Sequence, residues 1–366
     1  MIYKLKDICI RITDGSHFSP KAKTNGYPMF SVKDMLTYGF DYSNCKRICK
    51  EDFEKMLKSG CVPQAGDVLV AKDGSYLKEI FVCTETKKEA VLSSIAIFRP
   101  NQKIVNSYFL CYLLKSPNIY NYISSNCVSG SALPRIILKA FKEIEVDIPD
   151  LHVQENIVRI LKLLDDKIAL NTRINRNLSE QLKVIFSKMF PTIADNGSNT
   201  LEEIISFSNG KKRPDTEGKV PVYGGNGILF YTDKSNAENC VIIGRVGAYC
   251  GSLYLSIEPC WISDNAIKAE AKNSKSQMFI YYLLQELALS NRHIGTSQPL
   301  LTQGILNAIP FTCPSEEGII SFCKKADDIQ KLIDMNTIEN KRLSELRDTL
   351  LPKLMSGELD VSDFKV

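Results

Sequence analysis

The sequence predicts an α+β fold: two mixed α/β domains joined by two long antiparallel coiled-coil helices, arranged as a pseudo-two-fold repeat. Three observations predict it. Pro134 and Pro299, Pro149 and Pro314, and Ile157 and Phe322 all share one offset of 165 residues, the mark of an internal duplication. Each copy begins with short β-like runs broken by turn residues and closes on a long helical heptad. With 366 residues, 44% of them hydrophobic, the chain is long enough for two domains with separate cores.

Residues 1–150 read as the first mixed domain. Its β-like runs include Asp67-Val-Leu-Val-Ala, Ile80-Phe-Val-Cys-Thr and Ser94-Ile-Ala-Ile-Phe, with Asp73-Gly74 as a turn. Ser107-Tyr-Phe-Leu-Cys-Tyr-Leu-Leu-Lys follows as an amphipathic helix. Ile148-Pro149 closes the domain, because a residue before proline avoids the helical region.

Residues 151–190 form the first spacer helix. Ile157, Leu161, Leu164, Ile168, Asn171, Asn175, Leu178, Leu182, Ile185 and Met189 recur at alternating spacings of four and three, the signature of a coiled-coil seam. Pro191 and the polar run Asp195–Thr200 end it. Residues 191–314 hold this linker and the second mixed domain, with β-like runs at Val220-Pro-Val-Tyr, Cys240-Val-Ile-Ile-Gly and Ser252-Leu-Tyr-Leu-Ser and a helix from Gln277. Residues 315–358 form the second spacer helix. Its seam is Phe322, Ala326, Ile329, Ile333, Asn336, Asn340, Leu343, Arg347, Leu350 and Leu354, with Gly357 as its stop. Residues 359–366 are a C-terminal tail.

A helix of about 35 residues spans roughly 50 Å. The linker after Met189 is short, so the compact way to bury both seams sends the second helix back along the first, with a domain at each end. Each seam carries two asparagines at its middle. In the antiparallel pairing Asn171 faces Asn340 and Asn175 faces Asn336, and a slipped register would leave their amides without partners. These four residues are the candidate register determinants.

Composition narrows the function. Net charge is +4, from 46 basic and 42 acidic side chains, which permits limited acidic contacts without nonspecific coating of a polyanion. No apolar run approaches the roughly 20 residues of a membrane span, and the N-terminus lacks a secretory leader, so a cytoplasmic location is expected. The twelve cysteines contain no Cys-x-x-Cys pair, and no histidine is spaced with them as a zinc site requires. Reduced, mostly buried thiols are the expectation.

Other stretches carry a more specific signal. They are Ile148-Pro-Asp-Leu-His-Val-Gln-Glu-Asn-Ile-Val-Arg-Ile-Leu-Lys-Leu-Leu-Asp-Asp-Lys-Ile, the tail Leu350-Leu-Pro-Lys-Leu-Met-Ser-Gly-Glu-Leu, Gly66-Asp-Val-Leu-Val-Ala and Pro221-Val-Tyr-Gly-Gly-Asn-Gly-Ile. Gly130-Ser-Ala-Leu-Pro-Arg and Gly295-Thr-Ser-Gln-Pro-Leu precede the two helices. On these residues the chain resembles, over essentially its full length, the specificity subunit of type I restriction–modification systems. One departure is Ile319, which stands where the first copy has Gln154.

The resemblance implies two target-recognition domains, each reading one half of a bipartite double-stranded DNA site. It implies that the paired helices act as a ruler and dock two modification subunits, and that restriction subunits join to make an endonuclease. The resemblance places S-adenosylmethionine and the adenine methyltransferase chemistry in the modification subunits, with no cofactor or metal in this chain. A rod of roughly 50 Å spans about 15 base pairs at roughly 3.4 Å each, which suits an unread gap between half-sites.

No catalytic motif competes with this reading. There is no Pro-Pro pair for an adenine methyltransferase motif and no P-loop, and Gly224-Gly-Asn-Gly227 reads as a turn rather than a dinucleotide fingerprint. Pro214-Asp215 with Glu217-Gly-Lys219 lies in one polar loop, whereas a metal nuclease converges carboxylates from separate elements. Asp14, Ser16 and His17 have triad residue types without the separation that triad geometry uses. Two further readings stay open: a stand-alone DNA methyltransferase or nuclease, and an inactive recognition cassette. Base readout needs donors and acceptors on exposed loops, with cations holding phosphates. The candidates are Ser16, His17, Lys33, Lys72, Asp73, Ser75 and Arg135 in the first domain. In the second they are Lys211, Lys212, Arg213, Tyr223, Asn226, Arg245, Tyr249 and Gln298.

Overall fold

The computed structural model describes residues 1–74, 76–129, 134–194, 197–295 and 299–362. The chain divides into two compact units, Met1–Asn171 with Ile338–Val366, and Thr172–Thr337. Each unit therefore contains one mixed α/β head and a portion of both long helices.

The first head is built on a four-stranded antiparallel sheet in the order Cys9–Asp14, Ile95–Pro100, Val68–Ala71, Ile80–Val82. Every residue of Val68–Ala71 is buried, so this strand lacks the polar alternation of a half-exposed one. The period of two survives in what each side chain touches. Val68 and Val70 join Phe109, Leu110 and Leu113, whereas Leu69 and Ala71 join Phe30, Phe40 and Phe81. The helix Ser107–Lys115 covers one face; Asn106 caps it by accepting from Tyr108 N and Phe109 N. A smaller sheet, in the order Lys46–Ile48, Tyr27–Phe30, Ala90–Val91, contains a parallel pair. The strand Ile2–Lys4 pairs antiparallel with Glu145–Asp147.

The second head repeats the plan. Its main sheet runs Ile205–Asn209, Ala266–Ala271, Cys240–Gly244, Leu253–Ser256, again antiparallel throughout. Its smaller sheet runs Gly227–Thr232, Val220–Gly224, Trp261–Ile262, again with one parallel pair. Asn199–Thr200 pairs with Pro310–Phe311, so part of the polar stretch expected to be linker is a strand. Phe190 and Ile193 are buried in this head's core, so the chain after the helix is packed rather than loose. Asp195 and Asn196 lie outside the described residues. All twelve cysteines are free thiols, nine of them buried.

The long helices are Leu151–Met189 and Glu316–Ser356, the second stopped by Gly357 in a left-handed conformation at φ 75°. Within the first unit, Ile157 and Leu161 share a core with Leu351 and Leu354, and Asn171 meets Asn340. Within the second, Phe186 packs edge-on to Phe322 and Asn175 meets Asn336. Rising numbers in one helix meet falling numbers in the other, so the helices are antiparallel in each unit. Asn171, only 1% exposed, donates through Nδ2 to Asn340 Oδ1 (3.0 Å) and Glu339 Oε2 (2.7 Å). Asn336 Nδ2 donates to Asn175 Oδ1 (2.8 Å), and Asn175 Nδ2 donates to the Ile333 carbonyl (3.1 Å).

Candidate nucleic-acid interface

In the first head, the candidate residues gather where the strands Cys9–Asp14 and Val68–Ala71 end. Ser16 bridges to Leu92 in parallel fashion, and Asp73 bridges to Arg135. Val32 N donates to Ser94 Oγ (3.1 Å) and Lys72 N to the Ser94 carbonyl (2.9 Å), bringing the short helix that carries exposed Lys33 beside them. Lys72 Nζ lies 3.1 Å from Asp14 Oδ1 and 3.9 Å from Asp73 Oδ1. Arg135 Nε lies 3.0 Å from Asp73 Oδ1, and His17 Nε2 lies 3.5 Å from Asp14 Oδ2. The His17 and Arg135 side chains are 73% and 59% exposed.

The second head gathers its candidates at the matching sheet end. Lys211 bridges to Ser263, whose N donates to the Tyr223 carbonyl (2.9 Å). The two-residue turn Gly225-Asn226 connects Val220–Gly224 to Gly227–Thr232, with Gly227 at φ 82°. A methyl group on Gly225 would lie 3.6 Å from Gly244 Cα and 3.8 Å from Tyr249 Cβ, so this turn rests on the segment carrying Arg245 and Tyr249. Asn226, Tyr249, Lys211, Lys212 and Arg213 are exposed and Arg245 is half-buried.

Five candidates are not the exposed loop residues expected: Asp73 and Arg245 are half-buried, and Ser16, Lys72 and Tyr223 are buried or held in a strand. Ser16 is buried, its Oγ donating to the Phe18 carbonyl (2.8 Å) and accepting from Phe18 N (3.1 Å). Lys72 is 4% exposed, because the Asp14 carboxylate offsets the cost of burying its charge. Tyr223 is a half-buried strand residue with its ring 6.2 Å from that of Tyr254; burial raises its phenol above the ordinary range. Ser75 and Gln298 lie outside the described residues.

Asp14, Ser16 and His17 do not form a nucleophilic arrangement. The Ser16 hydroxyl is engaged by the Phe18 backbone rather than by His17. The Asp215–Lys219 loop is pinned through Thr216, which hydrogen-bonds Thr232 (2.8 Å), and its Asp215 and Glu217 side chains are exposed. Among the described residues no cluster of His, Cys, Asp and Glu is disposed to hold a metal.

Sequence reasoning missed two polar anchors that hold the first head to its helices. Asp165, 7% exposed, accepts from Tyr38 Oη (3.0 Å), Tyr112 Oη (2.7 Å) and Arg347 Nη1 (2.8 Å). Its partners lie far apart in sequence; the one available signal was Arg347, the single charged residue in either seam. Gln154 is fully buried. It accepts from Asn106 N (2.9 Å) and donates to the Ile104 and Pro149 carbonyls (3.0 and 2.8 Å), fixing the cap of the Ser107–Lys115 helix. The second head needs no such glutamine from its long helix. Gln277, on its own covering helix, accepts from Ala271 N (2.8 Å) and donates to the Ala269 carbonyl (3.3 Å), while Ile319 packs against the apolar core.

The model of the type I restriction modification DNA specificity domain matches residues 1–180 and again 195–348. The type I restriction enzyme HindI specificity subunit of Haemophilus influenzae is 23% identical over 468 residues, covering 98% of this chain and 99% of that protein. The type I restriction enzyme MjaVIII specificity subunit of Methanocaldococcus jannaschii is 21% identical over 360 residues, covering 85% of this chain and 83% of that protein. The crystal structure of a type I restriction–modification S subunit from M. genitalium shares the fold with a TM-score of 0.56 at 18% identity, covering 97% of this chain and 95% of that one. A twofold match to one domain model is what the repeated sheet order and the 165-residue offset require, and the chain belongs to the type I restriction–modification DNA specificity family.

Proposed function

We propose that this chain is the DNA-reading, non-catalytic subunit of a cytoplasmic type I restriction–modification complex. Each head reads one half of a bipartite double-stranded site, and the helices set the interval. Two modification subunits dock on the helices and bring the methyltransferase chemistry with S-adenosylmethionine; restriction subunits complete the endonuclease. The observation that carries this reading is the recurrence, at the same sheet end of both heads, of exposed basic and polar side chains: Lys33, His17 and Arg135 in one, Lys211, Arg213 and Asn226 in the other. Such groups hold phosphates and read base edges. Docking is supported by apolar side chains left on the helix surfaces, among them Leu163 (62% exposed), Leu332 (51%) and Met335 (65%). No helix among the described residues is long and apolar enough to cross a membrane.

The test is to express the chain with its modification subunit in a host lacking other methyltransferases and map methylated adenines across the genome. A two-part motif with a fixed unread gap is expected, and none when either protein is absent. Methylation by this chain alone, or one uninterrupted motif, would refute the reading.

A further inference from the structure

The two heads hold a basic residue at the same backbone position and treat its charge in opposite ways. Lys72 N donates to the Ser94 carbonyl (2.9 Å), its carbonyl accepts from Ile136 N (3.0 Å), and Gly74 N donates to the Pro134 carbonyl (2.9 Å). Arg245 N donates to the Asn265 carbonyl (3.2 Å), its carbonyl accepts from Leu301 N (2.8 Å), and Gly247 N donates to the Pro299 carbonyl (3.0 Å). The bridges Asp73–Arg135 and Val246–Leu300 complete the correspondence. Arg245 therefore stands where Lys72 stands, Val246 where Asp73 stands, and Leu300 where Arg135 stands. The strand registers Ala96–Asp14 and Ile267–Asn209 put Asn209 in place of Asp14.

In the first head both carboxylates are present. Asp14 and Asp73 neutralise buried Lys72, and Asp73 also lies within ion-pair distance of Arg135 Nε. The terminal nitrogens of Arg135 form no hydrogen bond among the described residues. A guanidinium with a carboxylate beside its Nε still has the planar pair of terminal donors that matches guanine O6 and N7. In the second head neither carboxylate is present at these positions, and Arg245 Nε is buried without a hydrogen-bond partner among the described residues. A buried N–H left unmade costs free energy until an acceptor arrives from outside. Exposed Tyr249 follows on the same segment, and exposed Asn226 lies in the turn resting on it.

We propose that Arg135 and Arg245 are the guanine-reading residues of the two half-sites, Arg135 aimed by the Lys72–Asp73 pair and Arg245 acting from the Lys72 position itself. This rests on the DNA-reading function proposed above, and it assigns to each head the residue on which its specificity turns.

The experiment maps the methylated motif produced by the complete complex carrying wild-type chain, R135K, R245K or R245Q. Lysine keeps the cation but loses the planar fork. R135K is expected to relax a guanine requirement at one position of one half-site, and R245K and R245Q at one position of the other. Discrimination there should fall on the order of tenfold or more, with every other position kept. D73N, which leaves Arg135 in place but weakens its support, should partly relax the same position as R135K. A motif unchanged in all variants would overturn the inference. So would uniformly weaker binding with a shallower salt dependence in R245Q, which assigns the residue to phosphate, and so would complete loss of methylation with the helical circular dichroism intact. A wild-type complex with no bipartite motif would instead refute the functional reading, so the two failures are distinguishable.

Discussion

Asp165 shows how a single buried charge can hold a head to its helix. Three donors converge on it, and the Tyr38 and Tyr112 hydroxyls are pushed above the ordinary phenol range, first by burial and then by the Asp165 charge. Burial works to lower Arg347, but the hydrogen bonds and charges of Asp165 and Asp348 together raise it. Removing one member of a buried pair leaves the other charge uncompensated, at a cost of about 3–5 kcal/mol. Two tyrosine hydroxyls remain on Asp165, so R347M is expected near the lower end, about 3 kcal/mol, in urea unfolding. D165N/R347M should recover part of that loss, because no lone carboxylate is then left behind; a double variant as unstable as the sum of the two single changes would show that the pair is not coupled.

At the scale of the element, the paired helices combine apolar and amide contacts in one seam. Asn171 meets Asn340 and Asn175 meets Asn336, each pair within hydrogen-bond distance. Replacing Asn171 and Asn340 with leucine should raise helix stability and broaden the register, read as several cross-linked pairs where wild type yields one. One unchanged register would remove the amides as its determinant. Glu339 adds a pH dependence. Its carboxyl is held below the usual range by the Asn171 hydrogen bond and then by Lys167. A depressed carboxyl contributes its stability fully above the unfolded value near roughly 4.3 and loses it as pH falls through the folded value. Thermal unfolding of E339Q should therefore lose less stability than wild type between about pH 5 and pH 3, and parallel curves would contradict this.

For the whole molecule, binding to DNA divides between phosphate contacts and base contacts, which answer differently to salt. Arg213 is exposed in the Lys211–Arg213 run and belongs, on this reading, to the phosphate class. R213A in the complete complex should weaken binding to all sequences alike and reduce the salt slope by about one unit, leaving the methylated motif unchanged. A changed motif would move Arg213 to the base-reading class.

What the chain reveals without coordinates is whatever repeats with a period. The heptads name the two long helices because burial of a stripe imposes a spacing of three and four. The prolines 165 apart reveal the duplication, and the paired asparagines are legible because an antiparallel seam has few ways to satisfy an amide. The Ser107–Lys115 helix could be read because its apolar face and its neighbours in sequence suffice to define it. Tertiary structure alone decided the partners of residues without such a period. That Lys72 is buried against Asp14 while Arg245, at the same sheet position, has a buried Nε with no hydrogen-bond partner among the described residues depends on strands joined across long stretches of chain. The Asp165 anchor likewise brings together Tyr38, Tyr112, Asp165 and Arg347, from four segments far apart in the chain. Period is a local property of a sequence, whereas the pairing of charges is fixed by which distant segments the sheets and helices bring together.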